Sequence, residues 1–127
     1  MPRGFTLLEL LVVLFIVALL ASIVGPAVTG GIQRSKEATL REDLRVMRKS
    51  IDDFYSDTGA YPQALDALVD KRYLRNVPID PVTASNTTWT FEMEESQDSG
   101  GEKTRGIRDV RSGAEGQGRD GTSYSEW

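Results

Sequence analysis

Gly4-Phe5-Thr6-Leu7-Leu8-Glu9-Leu10-Leu11-Val12-Val13 opens an apolar run that continues to Val28 with Glu9 as its only formally charged residue. About 24 residues of helix reach roughly 36 Å, enough to cross a hydrocarbon core of about 30 Å. A carboxylate in such a segment costs on the order of 3 kcal/mol or more, depending on its depth. Either Glu9 lies near an interface of a simple membrane anchor, or another charge offsets it. The run is longer than the apolar core of a cleaved secretory signal, and Ala21-Ser22 offers only a weak cleavage site. Arg3 on the short side places the N-terminus in the cytoplasm and the rest of the chain outside.

With 127 residues in all, the chain has room beyond the run for one small domain rather than two. Gly25-Pro26 predicts a kink or local loosening, because proline lacks the amide donor and crowds the preceding turn. Gly30-Gly31 adds a second soft point. Leu40, Leu44, Met47, Ile51 and Phe54 then recur at helical spacing, with charged residues on the other faces. Those charges read as a solvated face, and Glu37 stands four before Arg41 in the favourable order. Gly59 falls where a left-handed residue would end the helix.

Ala64 to Val69 reads as a short helix with Leu65, Leu68 and Val69 on one side, extended in its apolar contacts by Tyr73 and Leu74. The two prolines of Pro78-Ile79-Asp80-Pro81 exclude helix and central strand. Thr87 to Glu92 alternates, with Trp89 and Phe91 on one face, and predicts a strand. Glu94 to Lys103, acidic and without large apolar residues apart from its flanks, reads as a loop, and Gly106 to Arg111 as a second strand. The expected fold is α+β: a long N-terminal helix, first transmembrane and then amphipathic, and a small C-terminal domain with a short helix and a β-hairpin or small antiparallel sheet. The expected boundaries are 1–4 for a leader, 5–28 for the membrane helix, 29–58 for the amphipathic helix and 59–127 for the outer domain.

Composition removes several function classes. No cysteine and no histidine are present, which excludes disulfides, thiolate or imidazole metal sites and histidine-based triads. A net charge of −4, with no basic stripe, gives nucleic-acid binding no electrostatic support. Asp52 and Asp53 diverge by about 100° on a helix and cannot converge on one substrate. Ser112 and Ser123 lack a histidine base, and no Walker-type loop exists. No catalytic residue is assigned.

The block Gly4 to Glu9, after a leader with Arg3, resembles the processing motif of type IV pilins and type II secretion pseudopilins. The resemblance implies cleavage by a prepilin peptidase after Gly4, methylation of Phe5, and a pairing of Glu9 with the N-terminal ammonium of a neighbouring subunit. Asp57-Thr58-Gly59-Ala60-Tyr61-Pro62, Pro78-Ile79-Asp80-Pro81 and Gly113-Ala114-Glu115-Gly116 stand in the order of three short motifs of the type II secretion major pseudopilins. That family implies a homopolymer through N-terminal helices, with minor pseudopilins, an inner-membrane platform protein and an assembly ATPase as partners. Its location would be the inner membrane, with the outer domain periplasmic and assembled into a pseudopilus that moves exoproteins. A type IV pilus pilin is the nearest alternative, and a bitopic membrane-anchored binding module the alternative of another class.

Between Ser112 and Tyr124 four glycines alternate with Glu115, Asp120, Thr122 and Ser123, hard oxygen donors of the kind calcium takes. The resemblance implies calcium too, with Glu115, Asp120 and Ser123 as ligands. The loop is shorter than the family's, and Glu115 stands where aspartate is usual. A glycine-rich turn closed by Tyr124 and Trp127 packing back on the domain is the competing reading.

Overall fold

A computed structural model describes residues 3–127; the first two residues of the expected leader, Met1 and Pro2, lie outside the described residues. Helix α1 spans Leu7–Thr58, α2 Leu65–Asp70, strand β1 Thr90–Gln97 and strand β2 Lys103–Arg111, and a 3-10 turn covers Tyr124–Glu126. The chain divides into two compact units, one up to Ser35 and one from Lys36 to Trp127. This is a pilin-like α+β fold.

In the first unit α1 is long and apolar enough to cross a membrane, and every residue from Arg3 to Thr29 is exposed. Apolar side chains in such numbers on one helix need a cover that the chain itself does not supply. Pro26 lies inside α1 without interrupting it, so the expected loosening does not break the helix. The Thr29 hydroxyl donates to the Gly25 carbonyl at 3.1 Å, a local bond next to the position where proline removes a donor.

The second unit is built on the stripe read from the sequence. Leu40, Leu44, Met47 and Ile51 are fully buried, and Phe54 packs at the edge against Tyr73 with ring centroids 5.4 Å apart. Each such residue contributes about 1.5–3 kcal/mol of burial. Leu65, Leu68 and Leu74 close the core from one side, and Trp89, Ile107, Val110, Ala114 and Tyr124 complete it. The helix ends as its glycine requires: Gly59 has φ +76 and its amide donates to Tyr55 at 2.8 Å.

The hairpin differs from expectation in length. β1 begins at Thr90 and runs to Gln97, and β2 begins at Lys103, so half of the segment read as a loop is paired strand. Its eight β1 residues are almost all exposed. Without a buried face there is no apolar alternation to read. A bulge between Glu92 and Met93 sets Arg108 beside two carboxylates, 3.6 Å from Glu92 and 3.4 Å from Glu94. Phe91 stays 44% exposed, so of the expected inward pair only Trp89 is buried.

β2 is the strand on which the loops are joined. The Ile107 amide donates to the Pro62 carbonyl at 2.7 Å, and a Cβ on Gly106 would lie 2.4 Å from the Tyr61 carbonyl oxygen. At its other end Ser112 donates to the buried carboxylate of Asp80, and Gly113 presses on the Thr88 carbonyl. The three short motifs are therefore three junctions with one strand and its exit.

Candidate functional site

The N-terminal segment is set by one side chain. Thr6 precedes the first residue of α1, and its hydroxyl accepts the Glu9 amide at 3.1 Å, satisfying a donor that a helix start leaves open. Thr6-Leu7-Leu8-Glu9 has the spacing of a capping box, and Glu9 stands in the first turn, where the helix dipole favours a carboxylate. Sequence reading passed over Thr6, although a threonine three residues before a glutamate was the available signal. Phe5 is 77% exposed. Around Gly4 nothing would meet a Cβ within 4 Å, so the folded chain itself imposes no need for glycine there.

In the C-terminal loop Asp120 and Ser123 have hydrogen-bond partners of their own, and Glu115 is exposed. Asp120 Oδ2 accepts from Arg41 at 3.0 Å, while its Oδ1 accepts from the Thr122 amide at 3.0 Å and the Thr122 hydroxyl at 2.6 Å. The Thr122 bonds and then the Arg41 guanidinium hold this carboxyl below the usual aspartate range. The Ser123 hydroxyl meets the Gly116 carbonyl at 3.5 Å and Ser125 Oγ at 3.0 Å, and Glu115 is exposed. Among the described residues no three acidic side chains gather where they could hold a metal. A calcium ion, which takes six to eight oxygens, would share Asp120 with the three donors that it already accepts.

What closes the loop instead is aromatic and cationic. The Arg41 guanidinium lies 4.1 Å over the Trp127 ring, and Trp127 meets Tyr124 edge-on at 5.0 Å. Trp127 Nε1 donates to Thr122 Oγ1 at 2.6 Å. Arg48 donates to the Trp127 backbone oxygen at 2.6 Å, to Val110 at 3.0 Å and to Asp109 at 2.9 Å, tying α1 to β2 and the loop. Glu37 accepts from the Arg119 amide at 2.8 Å and from the Tyr124 hydroxyl at 3.3 Å. Thus three members of the face read as solvated, Glu37, Arg41 and Arg48, turn to the loop, whereas Arg45–Glu42 and Lys49–Asp53 are ordinary surface pairs.

One polar pair is buried. Asp80 is wholly shielded from solvent; its Oδ1 accepts the Val82 amide at 2.9 Å and its Oδ2 accepts from Ser112, whose oxygen in turn accepts the Ala114 amide at 3.1 Å. Asp80→Ala would strand these donors and is expected to lower stability by about 2–3 kcal/mol. Chemical unfolding followed by tryptophan fluorescence measures this; an unchanged midpoint would show the pair to be dispensable.

A family profile described as the prokaryotic N-terminal methylation motif matches residues 2–25. Among curated proteins, the type II secretion system core protein G of Klebsiella pneumoniae is 34% identical over 95 residues, covering 62% of this chain and 68% of that protein. The proteins of the same name from Klebsiella michiganensis and Pseudomonas aeruginosa are each 33% identical, with 67% and 66% of their lengths covered. The chain thus spans about two thirds of the relatives it matches. No solved structure matches it. A capped apolar helix with a methylation motif, leading into a small α+β unit, defines a membrane-anchored subunit of pilin type. Within that class, the chain belongs to the family of type II secretion system core protein G, the major pseudopilins.

Proposed function

We propose that this chain is cleaved between Gly4 and Phe5, methylated on Phe5, and polymerised through its N-terminal helix into a periplasmic pseudopilus that drives exoprotein secretion across the outer membrane. The observation that carries this reading is Gly4, a glycine with open space around it immediately before the apolar block that the methylation profile covers. The folded chain gives no reason for that residue, and a peptidase that needs a small side chain does. The N-terminus lies in the cytoplasm before processing, as Arg3 favours, and the unit from Lys36 onward is periplasmic. Glu9 neutralises the new ammonium of an adjacent subunit, so that neither charge stays alone among apolar helices. Prepilin peptidase acts on the chain; minor pseudopilins, an inner-membrane platform protein and an assembly ATPase complete the machine. The chain itself is not an enzyme.

Intact mass of the protein made together with a prepilin peptidase tests the first step. The expected species starts at Phe5 and carries one added methyl group. A protein still starting at Met1 or Pro2 would overturn the reading and leave a bitopic anchored module.

A further inference from the structure

The C-terminal loop is the segment in which the family resemblance implies a calcium ion, and it is already organised around a positive charge. Arg41 Nη2 donates to Asp120 Oδ2 at 3.0 Å, and its Cζ lies 4.1 Å from the centroid of the Trp127 ring. The ring is seated in turn: a Cβ on Gly118 would come 2.3 Å from Trp127 Cζ2, so any other residue there would push the ring out of its place. Gly118 and Thr122 close the turn between them, the Gly118 amide donating to the Thr122 carbonyl at 2.8 Å. A calcium ion on Asp120 would lie about 2.3–2.6 Å from its oxygen. That position adjoins a guanidinium nitrogen, and the two cations would repel. An ion on the Oδ2 side would compete with Arg41 for the carboxylate.

We propose that Arg41 is the cation on which the C-terminal loop of this chain closes, and that the loop reaches its folded form without a divalent ion. A guanidinium suits the place because it is always charged, makes directed bonds to a carboxylate and stacks on an indole. The arrangement lies wholly within the unit from Lys36 onward and does not depend on the proposed role in secretion.

The test uses the full chain in detergent micelles, read by the NMR signal of the Trp127 indole N–H and by thermal unfolding, with calcium chloride and then with chelator. In the parent protein the Trp127 signal should be the same in both conditions. Arg41→Ala should displace that signal and lower the unfolding midpoint by on the order of 5 °C, with Arg41→Lys recovering part of the loss because it restores charge without the planar stack. Glu115→Gln should change neither reading. Movement of the Trp127 signal on adding calcium to the parent protein, abolished by Asp120→Asn, would overturn the proposal. An Arg41→Ala protein with an unmoved Trp127 signal and midpoint would also overturn it. If Arg41→Ala does not fold, the calcium comparison on the parent protein and Arg41→Lys still decide.

Discussion

Gly113→Ala is expected to destabilise the unit from Lys36 to Trp127 by about 3 kcal/mol or more, among the largest effects a single methyl can have. A Cβ at this position would fall 1.9 Å from the Thr88 carbonyl oxygen and 3.1 Å from its carbon. Those are backbone atoms. Thr88 cannot retreat freely, because it precedes buried Trp89 and its hydroxyl is paired with Thr83 at 2.6 Å. Gly113 cannot retreat either, since Ser112 holds Asp80 and Ala114 is in the core. For an outer unit of this size the unfolding midpoint should drop by roughly 12 °C or more. Gly100→Ala provides the comparison: its new Cβ would meet only the Asp98 side chain, at 3.3 Å, in an exposed loop. Equal midpoints for the two variants would refute the account.

Glu9→Ala is expected to abolish filaments while leaving cleavage and methylation intact. The reading behind it is that Glu9 meets a charge only when subunits pack, and that an unpartnered ammonium among apolar helices then costs on the order of 3 kcal/mol per contact. That is more than a hundredfold in association. Sheared or cross-linked filament would be measured against processed monomer. Wild-type amounts of filament from Glu9→Ala would sink the pairing. Thr6→Ala separates the two roles of this turn, because it removes only the acceptor of the Glu9 amide. Loss of a cap costs about 1 kcal/mol, which a helix of 52 residues tolerates.

What could be read from sequence was what repeats or punctuates. The stripe from Leu40 to Ile51 lies buried as its spacing required, and Gly59 takes the left-handed conformation that ends α1. The short helix was legible through Leu65 and Leu68, both buried. The part of β1 beyond Glu92 was not, because Glu94 and Glu95 sit on a ribbon exposed on both faces and its order comes from backbone pairing. At the N-terminus the Gly4 to Glu9 block was legible as the methylation motif that the family profile matches, whereas Thr6 as the helix cap was not read. The loop partners were beyond local reading. Nothing near Arg41 signals an aspartate 79 positions away, and a charged helix face looks the same whether water or a loop covers it. Asp80 was noticed for its flanking prolines, while its burial and its bond to Ser112 depend on two chain segments meeting in space.

The junctions on β2 also fix an order of events during synthesis. Arg41 waits for Asp120, and Arg48 waits for Trp127, each 79 residues later, while Pro62 waits for Ile107. Contacts of such long separation cannot form before the later partner has been made, and they close slowly once it has. The apolar segment, by contrast, is complete after the first quarter of the chain and needs only bonds within its own helix. A membrane enzyme acting at Gly4 would therefore meet its substrate while the rest of the polypeptide is still an open chain. Under the proposed processing, cleavage and folding of this protein would be separable in time, with the rate of synthesis setting the interval.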